Sequence, residues 1–519
     1  SEFDTVMDAL NDPLNKKDLG AFYTPLPYAK EATNLIREAI QKIPKDKDYV
    51  IIDRCAGTGA LENFFSDEEL SHVILNTYEI KEWLVLYNKY VGRVRGIIPP
   101  LSLVRKNKGN LVTNGDALAE DFLMIQMETE GKHSTLKEII EDKNVNIIGF
   151  ENPPYSSELA RAQEGNIKNK EKFSYIRKLM SKEFEGNSGH AKDLLNQFVW
   201  SFEKYFMRDV NDYYVLFAPV KYWKSVGLMK KKFVNGFLAN RGNFKAQESS
   251  VLVALWKNEN DNVTESISVF AKEIWKDNKK WETGKGISAI EVPSDAILKN
   301  VSNVTIKKVY RTLGEYYSKK IETDKPSQIA TGFDGREVPL KSYGKLVYNK
   351  NILAVIEASG FGITPQDVRM TRIAIYHGRG SQVRTTNYAE QTVLFVAKQY
   401  PQKFWYNRDV YFTTSDKGDL YKKDINFLRK STLWTCISHK NHCLSFEGSD
   451  SNFYNNEMCL DKNSLIYKEI ISDEKYGKLD RNDTMLLGVF EELLELAKKT
   501  EEYLSLIHIS EPTRLGMIS

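Results

Sequence analysis

Asn152-Pro153-Pro154-Tyr155 directly follows the apolar run Ile147-Ile148-Gly149-Phe150-Glu151. Two consecutive prolines end a strand and leave nearby carbonyls without ladder partners. The Asn152 side-chain oxygen and the Pro153 carbonyl are then two acceptors side by side. Such a pair suits an aromatic amine, whose lone pair is delocalised into its ring. That nitrogen becomes nucleophilic only when its N–H groups are held and it is drawn toward tetrahedral geometry. Tyr155 would stack on the ring, contributing about 1–3 kcal/mol if the ring is a nucleobase. The plain alternative is a Pro-Pro turn that only ends a strand.

Three other sites fall in order upstream. Tyr49–Ile52 reads as a buried strand ended by Asp53, and Gly57-Thr58-Gly59 turns the chain toward a helix expected near Ala60. Such a turn lets backbone approach a ligand closely. Glu62 replaces the third glycine of a dinucleotide fingerprint, which disfavours pyrophosphate. Glu79 lies 20 residues beyond Gly59, where a carboxylate would accept both hydroxyls of a ribose. It could equally be an acid favoured at a helix N-terminus. Asp116, after Asn114-Gly115, could accept from an adenine amine, although alone it is a common turn residue.

The elements that must position these residues alternate short β-rich runs with helical stretches from residue 30 to 258, the signature of βαβ units. Strands are expected at 49–52, 72–75, 111–113, 145–148, 213–217 and 250–255, and helices at 27–42, 81–90 and 192–206. The fold class is α/β: a Rossmann-like, mainly parallel sheet followed by a C-terminal α+β domain. Loose segments at 257–262 and 283–295 place the domain break, giving units at 1–275 and 295–504. Ser505–Ser519 fits nothing before it and reads as a non-native tail, and the start at Ser1 without Met reads as a fragment.

At 519 residues with 41% apolar and 28% charged residues, the composition is that of a multidomain globular chain. No apolar run approaches the ~20 residues of a membrane span, so no membrane partner is expected. Four cysteines are too few for a disulfide framework and are compatible with a reducing cytoplasm. The net charge of +3 conceals an asymmetry: residues 300–446 hold 23 Lys and Arg against 12 Asp and Glu, an excess of 11. With Trp405, Tyr406, Tyr376 and His377, this half reads as a polyanion-binding surface, or as an ordinary solvated basic face.

The motif order resembles that of the amino-methyltransferases of bacterial restriction-modification systems, in the subgroup whose cofactor half precedes a C-terminal target-recognition domain. Phe22-Tyr23-Thr24-Pro25 matches that family's first element, Asp53–Gly59 its glycine loop, Glu79 and Asp116 its ribose and adenine ligands, and Asn152–Tyr155 its catalytic tetrad. The resemblance covers residues 20–256. It implies a sheet of the class I methyltransferase type, S-adenosyl-L-methionine as cofactor, and N6-methylation of an adenine flipped from double-stranded DNA. It further implies that Asp193–Phe198 lines the cofactor pocket, with Phe198 among the binding residues, and that Phe244 closes on the base opposite Tyr155. Phe244 could instead be a core residue. Arg54 stands where the family often has proline, and Glu151 puts a charge beside the tetrad. Asn rather than Ser at 152 favours adenine over cytosine.

Arg369, Arg372, Arg379 and Arg384 are candidates for reading the DNA. Cys436, His439, His442, Cys443 and Cys459 cluster, but without the paired spacing of structural zinc sites, and no metal is assigned. Asp334–Lys341 has the wrong spacing for a nuclease centre, so a restriction endonuclease partner would be a separate chain or lie in a lost end. Two other functions stay open: methylation of an RNA base or a protein glutamine by the same tetrad, and DNA binding without turnover.

Overall fold

The computed structural model describes residues 24–98, 115–129, 132–155, 174–184, 190–224, 227–246, 248–282 and 292–308, and, further on, 329–331, 337–339, 347, 351–357, 380–399, 404–407, 423–437, 443–444, 446–472 and 478–501. Phe22, Tyr23, the strand expected at 111–113, Arg369, Arg372, Arg379, His439, His442 and the 505–519 tail lie outside the described residues. The chain falls into two compact units, the first made of Ser1–Tyr310, Ala330–Glu337 and Gln402–Asp409.

The first unit is built on a ten-stranded mixed sheet. Its strands are β1 (Asp48–Asp53), β2 (Val73–Leu75), β3 (Gly96–Ile97), β4 (Val145–Glu151), β5 (Tyr213–Pro219), β6 (Lys231–Asn240), β7 (Ser250–Asn260), β8 (Ser266–Lys276), β9 (Lys279–Lys280) and β10 (Ile297–Lys307). They run in the order β9-β8-β6-β7-β5-β4-β1-β2-β3, with β10 also paired to β8. From β3 to β5 all pairings are parallel. Antiparallel β7 is inserted between β5 and β6. This is the expected α/β, Rossmann-like class, with its parallel half carrying the strand ends singled out in the sequence.

Alternation along the central strands divides the interior into two cores. Val50, Ile52, Ile147, Tyr214 and Leu216 face one cluster, while Ile51, Ile148, Phe150, Val215 and Phe217 face the other. Both faces are covered, which is why these strands read as continuous apolar runs rather than alternating ones. Helix α1 (Leu26–Lys42) buries Tyr28, Ala32, Leu35, Ile36 and Ala39, one stripe at helical spacing, against the second cluster. The helices α2 (Ile80–Tyr90) and α3 (Leu194–Tyr205) lie within a residue or two of their expected bounds.

The sheet does not end where the polar linkers suggested. The loose segment 283–295 leads into β10, which pairs with β8 along Ile267↔Ile306 to Trp275↔Ile297, so residues 297–307 belong to the first sheet. The helix expected near Ala60 is a single 3-10 turn, Leu61–Phe64, followed by the short helix Asp67–Leu70. Trp405, read as part of a binding surface, is buried in the first unit and donates its indole N–H to Glu273 Oε2 at 2.7 Å.

The second unit is α+β in its described part. A three-stranded antiparallel sheet, Gly380–Arg384, Ile352–Glu357 and Cys443–Leu444, is accompanied by helices Tyr388–Gln399, Ile425–Ile437, Leu465–Ser472 and Arg481–Ala497. Leu353, Val383, Tyr388, Val393, Leu428, Leu433 and Leu487 form its core. Among the described residues, no helix is long and apolar enough to cross a membrane.

Candidate active site

The parallel half delivers its chemistry at the carboxyl ends of β1, β2 and β4, the edge where ligands of such sheets bind. A cleft is lined there by Thr24, Asp53, Gly57, Glu79, Asp116, Asn152, Pro154 and Phe198. These residues come from six segments spread over 175 positions, and the fold brings them to one cavity.

At the end of β1 the chain makes the glycine turn with both φ angles positive, 57° at Gly57 and 77° at Gly59. A Cβ on Gly59 would lie 2.4 Å from Tyr90 Cε2 and 2.9 Å from Leu86 Cδ1, because α2 packs directly against the turn. Tyr90 also donates its hydroxyl to the Gly59 carbonyl at 2.8 Å. Gly57 has open space on its Cβ side. Gly59→Ala is therefore expected to destabilise the fold by about 1–3 kcal/mol, and Gly57→Ala by about 1 kcal/mol, in denaturant titrations.

Asp53 and Glu62 are fully buried beside this turn. Asp53 Oδ1 accepts from the Cys55 N–H at 2.8 Å, whereas Asp53 Oδ2 and both Glu62 oxygens have no protein hydrogen-bond partner when both acids are ionised. Burial and their mutual repulsion raise the Asp53 carboxyl well above its ordinary range, and burial pushes Glu62 up to about 7. Both carboxyls thus resist ionisation. An acidic corner of this kind repels a phosphate and suits a cation.

Glu79 caps the N-terminus of α2 by position but makes no side-chain capping hydrogen bond, so its carboxylate is not consumed by the helix and lines the cleft. Asp116 accepts from the Leu118 N–H at 3.1 Å. Asn76, not anticipated from the sequence, ties the loops together: its Nδ2 donates to the carbonyls of Arg54 at 2.7 Å and Gly115 at 2.9 Å.

The tetrad leaves β4 at Glu151. Asn152 donates from Nδ2 to Thr24 Oγ1 at 2.9 Å, and its Oδ1 accepts the Tyr155 hydroxyl at 2.7 Å. The amide is thus held from both sides, with Thr24 touching the tetrad as well as the cleft. Tyr155, expected to stack on a base, is half-buried and spends its hydroxyl on Asn152. Pro153 is buried and Pro154 lines the cleft, while Pro25 sits at the N-cap of α1. Phe244 is not an open jaw. It is buried to 2% exposure and stacks on Tyr28, with centroids 5.7 Å apart and planes at 6°. The short 3-10 turn Arg241–Phe244 drives the ring into the second core, which is the core role left open in the sequence. Arg384 ends a strand of the second unit, half-buried.

No family model matches the sequence, and no curated protein matches it. Similar solved structures include a chain of a cryo-EM DrdV–DNA complex, with 16% identity and a TM-score of 0.31, covering 49% of this chain and 28% of that one. Another is the crystal structure of a type I restriction-modification system methyltransferase subunit from Streptococcus thermophilus, with 14% identity and a TM-score of 0.29, covering 50% of each chain. This chain spans half or less of either structure's length in these overlaps.

Proposed function

We propose that the chain is a DNA methyltransferase that transfers a methyl group from S-adenosyl-L-methionine to the exocyclic N6 amine of an adenine turned out of the duplex, as the modification component of a restriction-modification system. The observation that carries this reading is the single cleft in which Asp53, Gly57, Glu79 and Asp116 meet Asn152.

The donor set fits the cofactor. Asp53, which lines the cleft and keeps one buried oxygen without a protein partner, accepts the α-ammonium; Glu79 takes the ribose hydroxyls, Asp116 the adenine amine, and Thr24 and Phe198 close the walls. When bound, it supplies an electrophilic methyl carried on a sulfonium sulfur. Asn152 then orients the target. An amide oxygen has two lone pairs, so Oδ1 accepts an adenine N–H while still holding the Tyr155 hydroxyl. The Pro153 carbonyl accepts the second N–H, and the two acceptors hold the amine protons until one passes to solvent. The basic C-terminal half, with Arg384 and the three arginines before it, supplies the DNA-recognition surface.

Incubation with labelled S-adenosyl-L-methionine and unmodified DNA, followed by nucleoside analysis, tests the proposal. N6-methyladenine is expected, and DNA affinity should fall with salt with a log–log slope near −0.9 per phosphate contacted. Label in RNA or protein, with none in DNA, overturns it.

A further inference from the structure

Beside the cleft lies a buried cluster that the transfer chemistry does not use. Arg54 directly follows Asp53 at the end of β1, and Glu151 directly precedes Asn152 at the end of neighbouring β4. The two side chains, 97 residues apart in sequence, form a two-pronged ion pair, Nε to Oε1 at 2.5 Å and Nη2 to Oε2 at 3.0 Å, and both are fully buried. Both members of the pair make further hydrogen bonds. Arg54 Nη1 donates to Ser201 Oγ at 2.8 Å and Nη2 to the Phe198 carbonyl at 2.8 Å, and Tyr214 donates its hydroxyl to Glu151 Oε2 at 2.6 Å. The guanidinium sits 5.0–5.1 Å from the ring centres of Phe198, Phe202 and Phe206. Gly149 makes room for this cradle: a Cβ there would meet Phe202 at 2.4 Å and Tyr214 at 2.5 Å.

A buried ion pair is a poor source of stability, because desolvation offsets the attraction and a well-packed apolar pair serves as well or better. Its distinguishing property is geometry. A guanidinium fork fixes a carboxylate in distance and in plane, which apolar packing does not. Here the fork's backbone neighbours are Asp53 on one side and Asn152 on the other, and the Arg54 carbonyl is bonded through Asn76 to the loop that carries Asp116.

We propose that Arg54 and Glu151 are positioning residues that set the tetrad's distance and orientation relative to the glycine loop, and so align the target amine with the methyl group. This inference rests on the function proposed above.

The decisive variant is the triple replacement Arg54→Met, Glu151→Met and Tyr214→Phe, which leaves no buried charge or hydroxyl of the cluster unpaired. It is expected to unfold cooperatively and to bind S-adenosylhomocysteine and DNA within a few-fold of wild type. Its kcat should fall about 100-fold at unchanged KM, the effect of misplacing a reacting group by about 1 Å. A folded triple variant with wild-type kcat overturns the proposal, since the pair would then be structural alone. Should the triple variant not fold, Arg54→Lys decides. It keeps the charge but not the fork, and is expected to lose about tenfold in kcat with KM unchanged; full activity overturns the proposal. Hydrogen exchange supplies a readout independent of turnover. The peptide containing Asn152–Tyr155 should lose protection in whichever variant folds, while β1 and β4 keep theirs, and unchanged protection counts against the pair. If the variant loses protection as expected yet the wild-type protein methylates no DNA, the assigned function fails and the positioning of the tetrad stands.

Discussion

Asn152→Ala is expected to lower kcat by about 1,000-fold while leaving DNA affinity within a few-fold of wild type. The side-chain oxygen is one of two acceptors that hold the target amine, and removing one fixed polar partner of a transition state costs about 10²–10³ in rate. Alanine also removes the acceptor of the Tyr155 hydroxyl and the donor to Thr24 Oγ1, so the whole held amide disappears at once. Thr24→Val and Tyr155→Phe each remove one of the two anchors and leave Oδ1 in place. Each is expected to cost about tenfold, because the acceptor remains but is less well oriented. Single-turnover transfer with labelled methyl donor measures the rate, and anisotropy of a labelled duplex measures binding. Equal loss of turnover and of DNA affinity in Asn152→Ala would assign the tetrad a folding role.

The legible part of the site was the part written in short segments at strand ends. Asp53, Glu79, Asp116 and Asn152 each follow an apolar run, and the βα rhythm alone places their ends on one edge of a parallel sheet. Gly57 and Gly59 were readable as a turn for the same reason. What the sequence could not carry was contact between distant segments. Arg54 and Glu151 each looked like an isolated departure from the pattern, and only the register of β1 beside β4 makes them partners. Asn76 has no local signature, since its work is to join two carbonyls brought near by different loops. Phe244 was placed by its position before β7, but the ring direction is set by a 3-10 turn and by Tyr28, more than two hundred residues away. Polar linker composition also misplaced the end of the first unit, because an edge strand such as β10 is half solvated and reads like a loop.

The Asp53–Glu62 corner predicts that recognition of the cofactor's amino-acid end is coupled to a proton. Folding raises both carboxyls, Glu62 from 4.5 to about 7, chiefly by burial. The groups facing the pair are Glu151, which raises Asp53 further, and Lys89, which pulls Glu62 down. Cys55 adjoins Asp53 and is itself raised by burial, so it carries no charge there. A carboxyl whose folded value is raised binds more protons folded than unfolded. The ligand-free protein therefore loses stability as pH rises from about 4.5 toward 7. An ammonium placed against the pair favours its ionised form, so binding displaces a proton. Affinity for S-adenosylhomocysteine should accordingly rise about tenfold per pH unit up to neutrality and level off above it, with one proton released on binding. Calorimetry in buffers of different ionisation enthalpy measures that proton directly. 5′-Methylthioadenosine, which lacks the amino-acid end, should bind without proton release, and Glu62→Gln should flatten the dependence for S-adenosylhomocysteine. Proton release that persists unchanged in Glu62→Gln would assign the titration to Asp53 or another group, and release that accompanies 5′-methylthioadenosine equally would show that the acidic corner does not hold the ammonium.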